Sequence, residues 1–309
     1  MSLSSLRQHR SVWLGVAAVV AILAAAVVFG ALGPDSEPAP TQAPLLAITE
    51  QIPLGPGARE PEKTIATDGD SPGDNTAIWS IGGEGREGVA ERLDLSDTKP
   101  RRKDFRVNLG NPSPQRVLDI GEWPTGTAVF DLRLERGGVR SRVLSLGPRG
   151  RVESRGFARL PRPLVKREVA VATWSGPSPD LFVIDRGGAR ERVRITVFSG
   201  ESGFMLPITT KRAPFMQLDP DEWTLDVGQL GGRRPSLVGF SRSGTGSGRP
   251  ELHVLTGDSD FQEFVVQRPV DRPRSATLRR LVTGLSLGRP SVFLVEGRRL
   301  LTVPLGAPQ

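Results

Sequence analysis

Pro179-Asp-Leu-Phe-Val-Ile184, followed ten residues later by Arg194-Ile-Thr-Val-Phe-Ser-Gly-Glu-Ser-Gly-Phe204, is the stretch of this 309-residue chain on which the fold turns. Both segments are rich in β-branched and aromatic residues and bounded by Gly, Pro, Asp or Ser, the pattern of strands joined by tight turns. The first segment recurs. Thr76-Ala-Ile-Trp-Ser-Ile81, Thr127-Ala-Val-Phe-Asp-Leu132, Pro235-Ser-Leu-Val-Gly-Phe240 and Pro290-Ser-Val-Phe-Leu-Val295 share its make-up, and successive starts lie 51, 52, 56 and 55 residues apart. A period near fifty built of strands and turns predicts a solenoid, a propeller or an array of small β units.

Outward from these runs, other apolar blocks fall into step. Val117-Leu-Asp-Ile-Gly, Val169-Ala-Val-Ala-Thr-Trp and Trp223-Thr-Leu-Asp-Val-Gly precede the repeated run, while Arg142-Val-Leu-Ser-Leu-Gly and Glu251-Leu-His-Val-Leu-Thr-Gly follow it. Gly203-Phe-Met-Leu-Pro-Ile208 and Asp260-Phe-Gln-Glu-Phe-Val-Val266 read as fourth strands. Four strands per unit is a propeller blade. The fifth unit runs out after three strands, and Leu45–Ile52 is an orphan strand ahead of the first. An N-terminal strand that completes the last blade removes an open sheet edge. The expectation is an all-β fold, a five-bladed β-propeller over residues 45–309, with a β-solenoid or a pair of β-sandwiches as alternatives.

The pattern turn-Pro-Asp/Ser-Leu-Phe/Val-Val-Ile, then Ile-Thr-Val-Phe-Ser-Gly-Glu-Ser-Gly-Phe, resembles FG-GAP or VCBS-type repeats, the blades of bacterial surface propellers and of integrin α-subunit heads. The resemblance is best over 169–208 and 225–266. It implies Ca²⁺ loops with alternating acids, because a hard cation takes six to eight oxygens. Here most of those acids are missing: Asp226 stands alone in its loop, and Asp119 has only Glu122 nearby. Asp68, Asp70 and Asp74 form the one remaining acidic cluster, a candidate Ca²⁺ site, with a solvated turn as the plainer reading. No other cofactor is expected.

Composition bounds the remainder. With 27 Pro and 36 Gly the chain suits many tight turns, and the absence of Cys excludes disulfides and thiolate chemistry. The net charge of +7 is carried almost wholly by Arg, which codon bias in a GC-rich genome explains and which leaves acidic glycans open as partners. Nucleic acid is not expected, since no aromatic-interleaved basic stripe is present. Val12–Leu32 is an uncharged run of 21 residues preceded by Arg7 and Arg10. As a helix it is long enough to span a bilayer, with the N-terminus cytoplasmic. The expected organisation is a cytoplasmic segment 1–11, a transmembrane signal anchor 12–32, a Pro-rich linker 33–44 and an extracytoplasmic domain at the cytoplasmic membrane.

Motifs for catalysis are sparse. His9 and His253 are the only histidines, and neither sits in a nucleophile, metal or phosphate motif. Trp79, Trp123, Trp174 and Trp223 recur near strand starts and read as packing between blades. The expected function is non-catalytic: a binding or scaffold module for an envelope protein or glycan, with loops Gly187–Arg194, Arg242–Arg249 and Gly200–Phe204 as contact candidates. The alternative is a glycan-active hydrolase using paired loop carboxylates, drawn from Asp219, Asp221, Glu222, Asp258 and Asp260.

Overall fold

The computed structural model describes residues 45–53, 65–67, 77–82, 87–94, 101–110, 115–147, 150–160, 167–186, 192–216, 222–243, 248–271, 278–286, 288–297 and 299–306. The expected anchor at 12–32 and the acids Asp68, Asp70 and Asp74 lie outside them. Among the described residues no helix is long and apolar enough to cross a membrane. Their one helical element is a single 3-10 turn, Gly257–Ser259.

Five four-stranded antiparallel sheets make up the fold. Blade 1 is β2 (Ile65–Thr67), β3 (Ala77–Gly82), β4 (Glu87–Asp94) and β5 (Arg101–Asn108). Blade 2 is β6 (Arg116–Trp123), β7 (Gly126–Glu135), β8 (Gly138–Ser145) and β9 (Val152–Arg159). Blade 3 comprises β10 (Arg167–Ala172), β11 (Asp180–Asp185), β12 (Arg192–Phe198) and β13 (Pro207–Met216). Blade 4 comprises β14 (Trp223–Gly228), β15 (Ser236–Ser241), β16 (Glu251–Leu255) and β17 (Phe264–Pro269). Blade 5 is β18 (Leu278–Ser286), β19 (Arg289–Glu296), β20 (Arg299–Pro304) and, from the other end of the domain, β1 (Glu50–Pro53).

The first strands of the blades neighbour one another in the cycle β2, β6, β10, β14, β18 and back to β2. That closed ring excludes the solenoid and the paired sandwich. The orphan strand closes the circle as expected, although its ladder starts later than the sequence suggests: Glu50 pairs with Thr302 and Pro53 with Arg299. Leu46 instead bridges Val270 of blade 4.

All five repeated runs are second strands, covered by a neighbouring blade on each face. A strand buried on both sides reads as a continuous apolar run, and every residue of β11 and β15 is buried. Trp79, Phe130, Phe182, Val238 and Phe293 occupy one equivalent position in the five blades, and each is almost wholly buried. The core is a set of seams. Trp79, Ile120 and Val129 join blades 1 and 2; Phe130, Val183 and Phe204 join blades 2 and 3. Ile52, Ile78 and Phe293 close the ring between blades 5 and 1.

Gly200 carries one demanding constraint. A Cβ there would lie 2.0 Å from the Pro179 carbonyl oxygen, and its counterpart Gly257 would put one 2.2 Å from Pro235 O. These glycines let the turn after the third strand close onto the start of the second. Trp123 then packs edge-on against Phe130 and tilted against Phe204 of blade 3, while Trp174 stacks on Phe261 of blade 4 at 5.4 Å.

Candidate active site on the propeller axis

An innermost strand has one edge with no partner strand, so alternate N–H groups point at the axis and need acceptors. Two carboxylates meet that need across the seams, and a third accepts from a hydroxyl. Asp119 on β6 accepts from the Ile120 amide at 2.9 Å and from the Val171 amide of β10 at 2.7 Å. Glu168 on β10 accepts from the Leu225 amide of β14 at 3.1 Å, and its other oxygen is held by Arg186. Asp226 on β14 accepts from the Thr283 hydroxyl of β18 at 3.4 Å.

Register explains the convergence. Asp119 faces Phe130 and Asp226 faces Val238, so the two acids stand at the same repeat position, which Ala66, Ala170 and Val282 fill in the other blades. Glu168 faces Ile184 and Arg280 faces Val295, one layer away along the axis, in positions equivalent to each other. Glu168, Asp226 and Arg280 are half-buried, and Asp119 is buried. Below them Ala172 is sealed, and a Cβ on Gly228 would lie 1.8 Å from the Thr283 hydroxyl oxygen. Small residues therefore pack the axis closely at the layer of Ala172 and Gly228.

Enclosure and mutual repulsion set the charge states. Burial is the largest influence on Asp226, the Asp119 charge adds to it, and against Arg280 and the Val227 amide they push the carboxyl up to about 8. Burial also raises Asp119, to about 6, opposed by Arg280 and the two amides it accepts from. Glu168 is raised by burial in spite of Arg186, the Leu225 amide and Arg280. Near neutral pH Asp226 keeps its proton while Asp119 is largely ionised. Carboxyl groups whose environments drive their pKa values apart are how one site holds both an acid and a base. Arg186 Nη1, beside Glu168, is buried without a hydrogen-bond partner among the described residues.

The loop acids are spoken for. Asp258 accepts from the Arg233 and Arg234 amides at 3.3 and 3.1 Å, and Asp260 pairs with Lys211 at 2.8 Å and Arg234 at 3.1 Å. Glu222 accepts from the Ser243 hydroxyl at 2.6 Å, and Glu122 from Thr127 at 2.6 Å across its own hairpin. Asp219 and Asp221 lie outside the described residues, as do 187–191 and 244–247 of the candidate contact loops. The third, Gly200–Phe204, is a packed turn whose Phe204 is buried in the blade 2–3 seam. Among the described residues no group of three or more His, Cys, Asp or Glu is disposed to hold a metal ion.

No family model and no curated protein matches this chain. Solved structures do. The catalytic domain of the Coprinopsis cinerea GH62 α-L-arabinofuranosidase aligns at 10% identity and a TM-score of 0.43, over 84% of this chain and 96% of its own. The Podospora anserina α-L-arabinofuranosidase in complex with cellotriose aligns at 8% identity and a TM-score of 0.38, over the same 84% and 96%. The expectation of a non-catalytic module is not what these neighbours show: both are α-L-arabinofuranosidases, the first a catalytic domain. At these TM-scores the likeness carries none of the chemistry, which rests on the axial residues alone.

Proposed function

We propose that this chain is a glycan-active hydrolase working from its axial carboxyl groups. The observation that carries the reading is the convergence of Asp119, Glu168 and Asp226, from three successive blades, around Arg280. Glycoside hydrolysis needs one carboxyl group that donates a proton to the leaving oxygen and a second that is ionised. Asp226 has the proton to give. Glu168, one layer along the axis, is placed to act as base or nucleophile. Asp119 is a positioning residue: its charge helps keep the proton on Asp226, and its two backbone donors fix its own orientation. Arg186 holds Glu168 in place.

The repeat-related turns Ser199–Phe204 and Thr256–Phe261 support reading the blades as FG-GAP-type units. The uncharged run at 12–32 supports membrane anchoring with the domain outside the cytoplasm and an envelope glycan within reach. Protease shaving of intact cells tests that topology, and protection of the domain would overturn it.

The catalytic reading is tested by incubating the full chain with a panel of glycans and aryl glycosides, an α-L-arabinofuranoside among them, and measuring sugar or phenol release. Asp226→Asn and Glu168→Gln are each expected to cut release by about 10²–10⁴-fold, the usual weight of general acid–base catalysis. Turnover that survives both substitutions, or no turnover on any member, would refute it.

A further inference from the structure

One face of blade 2 carries a concentration of charge that the axial site does not use. Arg116 on β6 stands directly opposite Arg133 on β7, which stands directly opposite Arg140 on β8. One layer along, Arg142 on β8 stands opposite Arg155 on β9, and Arg159 lies four residues further along β9 on the same face. Adjacent strands are only about 4.8 Å apart, and like charges in direct cross-strand register repel. Among the described residues three acids share the face, and Glu122 lies at its far end with Thr127. Asp131, fully buried, is gripped by Arg116 at 3.0 Å, by Arg133 at 3.4 Å and by Arg142, while Glu135 pairs with Arg140 at 2.6 Å.

Among the described residues six guanidiniums outnumber the three carboxylates of this sheet face. The opposite face of the same strands is apolar, with Phe130, Leu132 and Val139 in the blade 2–3 seam, so the strands cannot turn over. Toward blade 1 the lower part of the arginine face is covered through Ile120, Val129 and Leu144. Exposure rises outward from Arg116, 11% exposed, to Arg140, 54% exposed. Arg140 also lies over the Phe157 ring at 5.6 Å, and that ring folds over Gly138, where a Cβ would lie 2.7 Å from it.

We infer that this face of blade 2 is a binding surface for an acidic polysaccharide, a chain bearing carboxylate or sulfate groups. Arginine presents a planar fork of donors that matches such oxyanions two at a time. A polymer laid across β6 to β9 meets a cation at each strand, the most exposed being Arg140, Arg155 and Arg159. A lipid surface fits less well. Arg116 and its neighbours are recessed, and none of the exposed large apolar side chains among the described residues (Leu45, Val89, Met205, Leu206, Ile208, Phe264 and Val265) belongs to blade 2. The inference does not depend on the axial chemistry.

The test measures binding of the full chain to polygalacturonate and to heparin, with dextran as the neutral control. Anionic phosphatidylglycerol vesicles and a DNA duplex serve as competing probes at the same salt. The triple substitution Arg140→Ala/Arg155→Ala/Arg159→Ala removes only partly or fully exposed side chains. It is expected to weaken polysaccharide binding by about tenfold or more, with a shallower salt dependence. Arg101→Ala/Arg102→Ala/Lys103→Ala on the exposed outer strand of blade 1 removes the same charge elsewhere and is expected to leave binding nearly unchanged. Equal loss in both triples would reduce the effect to net charge and overturn the inference. So would binding to dextran as tight as to the acidic polymers, or tighter binding to vesicles or DNA.

Discussion

The Asp119 carboxylate accepts a hydrogen bond of 2.7 Å from the Val171 amide, 52 residues away in sequence and one blade away in space. Val171 sits on the open edge of an innermost strand, so without Asp119 its N–H would be buried with no acceptor. Asp119→Ala is therefore expected to cost about 1–3 kcal/mol in urea unfolding, the usual penalty for orphaning a buried donor. Asp119→Asn, which keeps one acceptor oxygen, is expected to cost less. Equal stability of the alanine variant and the parent would contradict the bond's importance.

Asp226 makes stability depend on pH in an uncommon direction. Its folded pKa of about 8 lies above that of an unfolded carboxyl, so the folded state holds a proton that the unfolded state has lost. The stabilisation is complete below about pH 4, declines as pH rises toward 8, and is gone above it. The slope contributed is at most on the order of 1 kcal/mol per pH unit. Asp226→Asn should flatten the curve and gain on the parent at pH 8–9. The same ionisation should give hydrolysis an alkaline limb near pH 8, read from the pH dependence of kcat/KM.

His253 pulls the other way. It is buried against Trp223 and Phe264, with Nε2 3.1 Å from Glu251, and burial lowers its pKa below the ordinary value despite that carboxylate. Its contribution is present above about pH 6.5, where the unfolded imidazole is neutral, and is lost as pH falls through the folded value. Unfolding curves between pH 7 and 5 should steepen in the parent relative to His253→Gln. Parallel curves would show that the ring does not titrate against folding.

Gly200→Ala tests the turn geometry. With a carbonyl oxygen 2.0 Å from the new Cβ, the turn must move as a whole. A loss of about 2–4 kcal/mol is expected. Gly137→Ala, at a positive-φ turn with nothing within 4 Å, should cost only the backbone strain, about 1 kcal/mol.

Much of the architecture was legible because second strands, sandwiched between blades, print their burial as continuous apolar runs. The turns were less so. Phe204 and Phe261 read as strand residues by their apolar neighbours, yet both are left-handed turn residues with φ of 66° and 62°, tucked into the seams beneath Trp123 and Trp174. β13 and β17 begin only at Pro207 and Phe264. The site was half visible. Asp119 and Asp226 stood out as acids but were assigned to degenerate calcium loops, because one blade does not reveal which strand is innermost. Glu168 and Arg280 went unnoticed, although aligning the first strands would have shown two opposite charges at one repeat position.

The pairing of β1 with β20 joins positions about 250 residues apart, as the contact between Thr49 and Thr302 shows. Contacts of such long range slow folding, since the loop must be closed before any of it is rewarded. On the ribosome the effect is sharper. At about 5–20 residues per second, β1 waits some tens of seconds before its partner exists. Throughout that interval four blades can stack while the ring stays open, so the arrival of β20 sets the moment at which β1 can lock the fifth blade to the first.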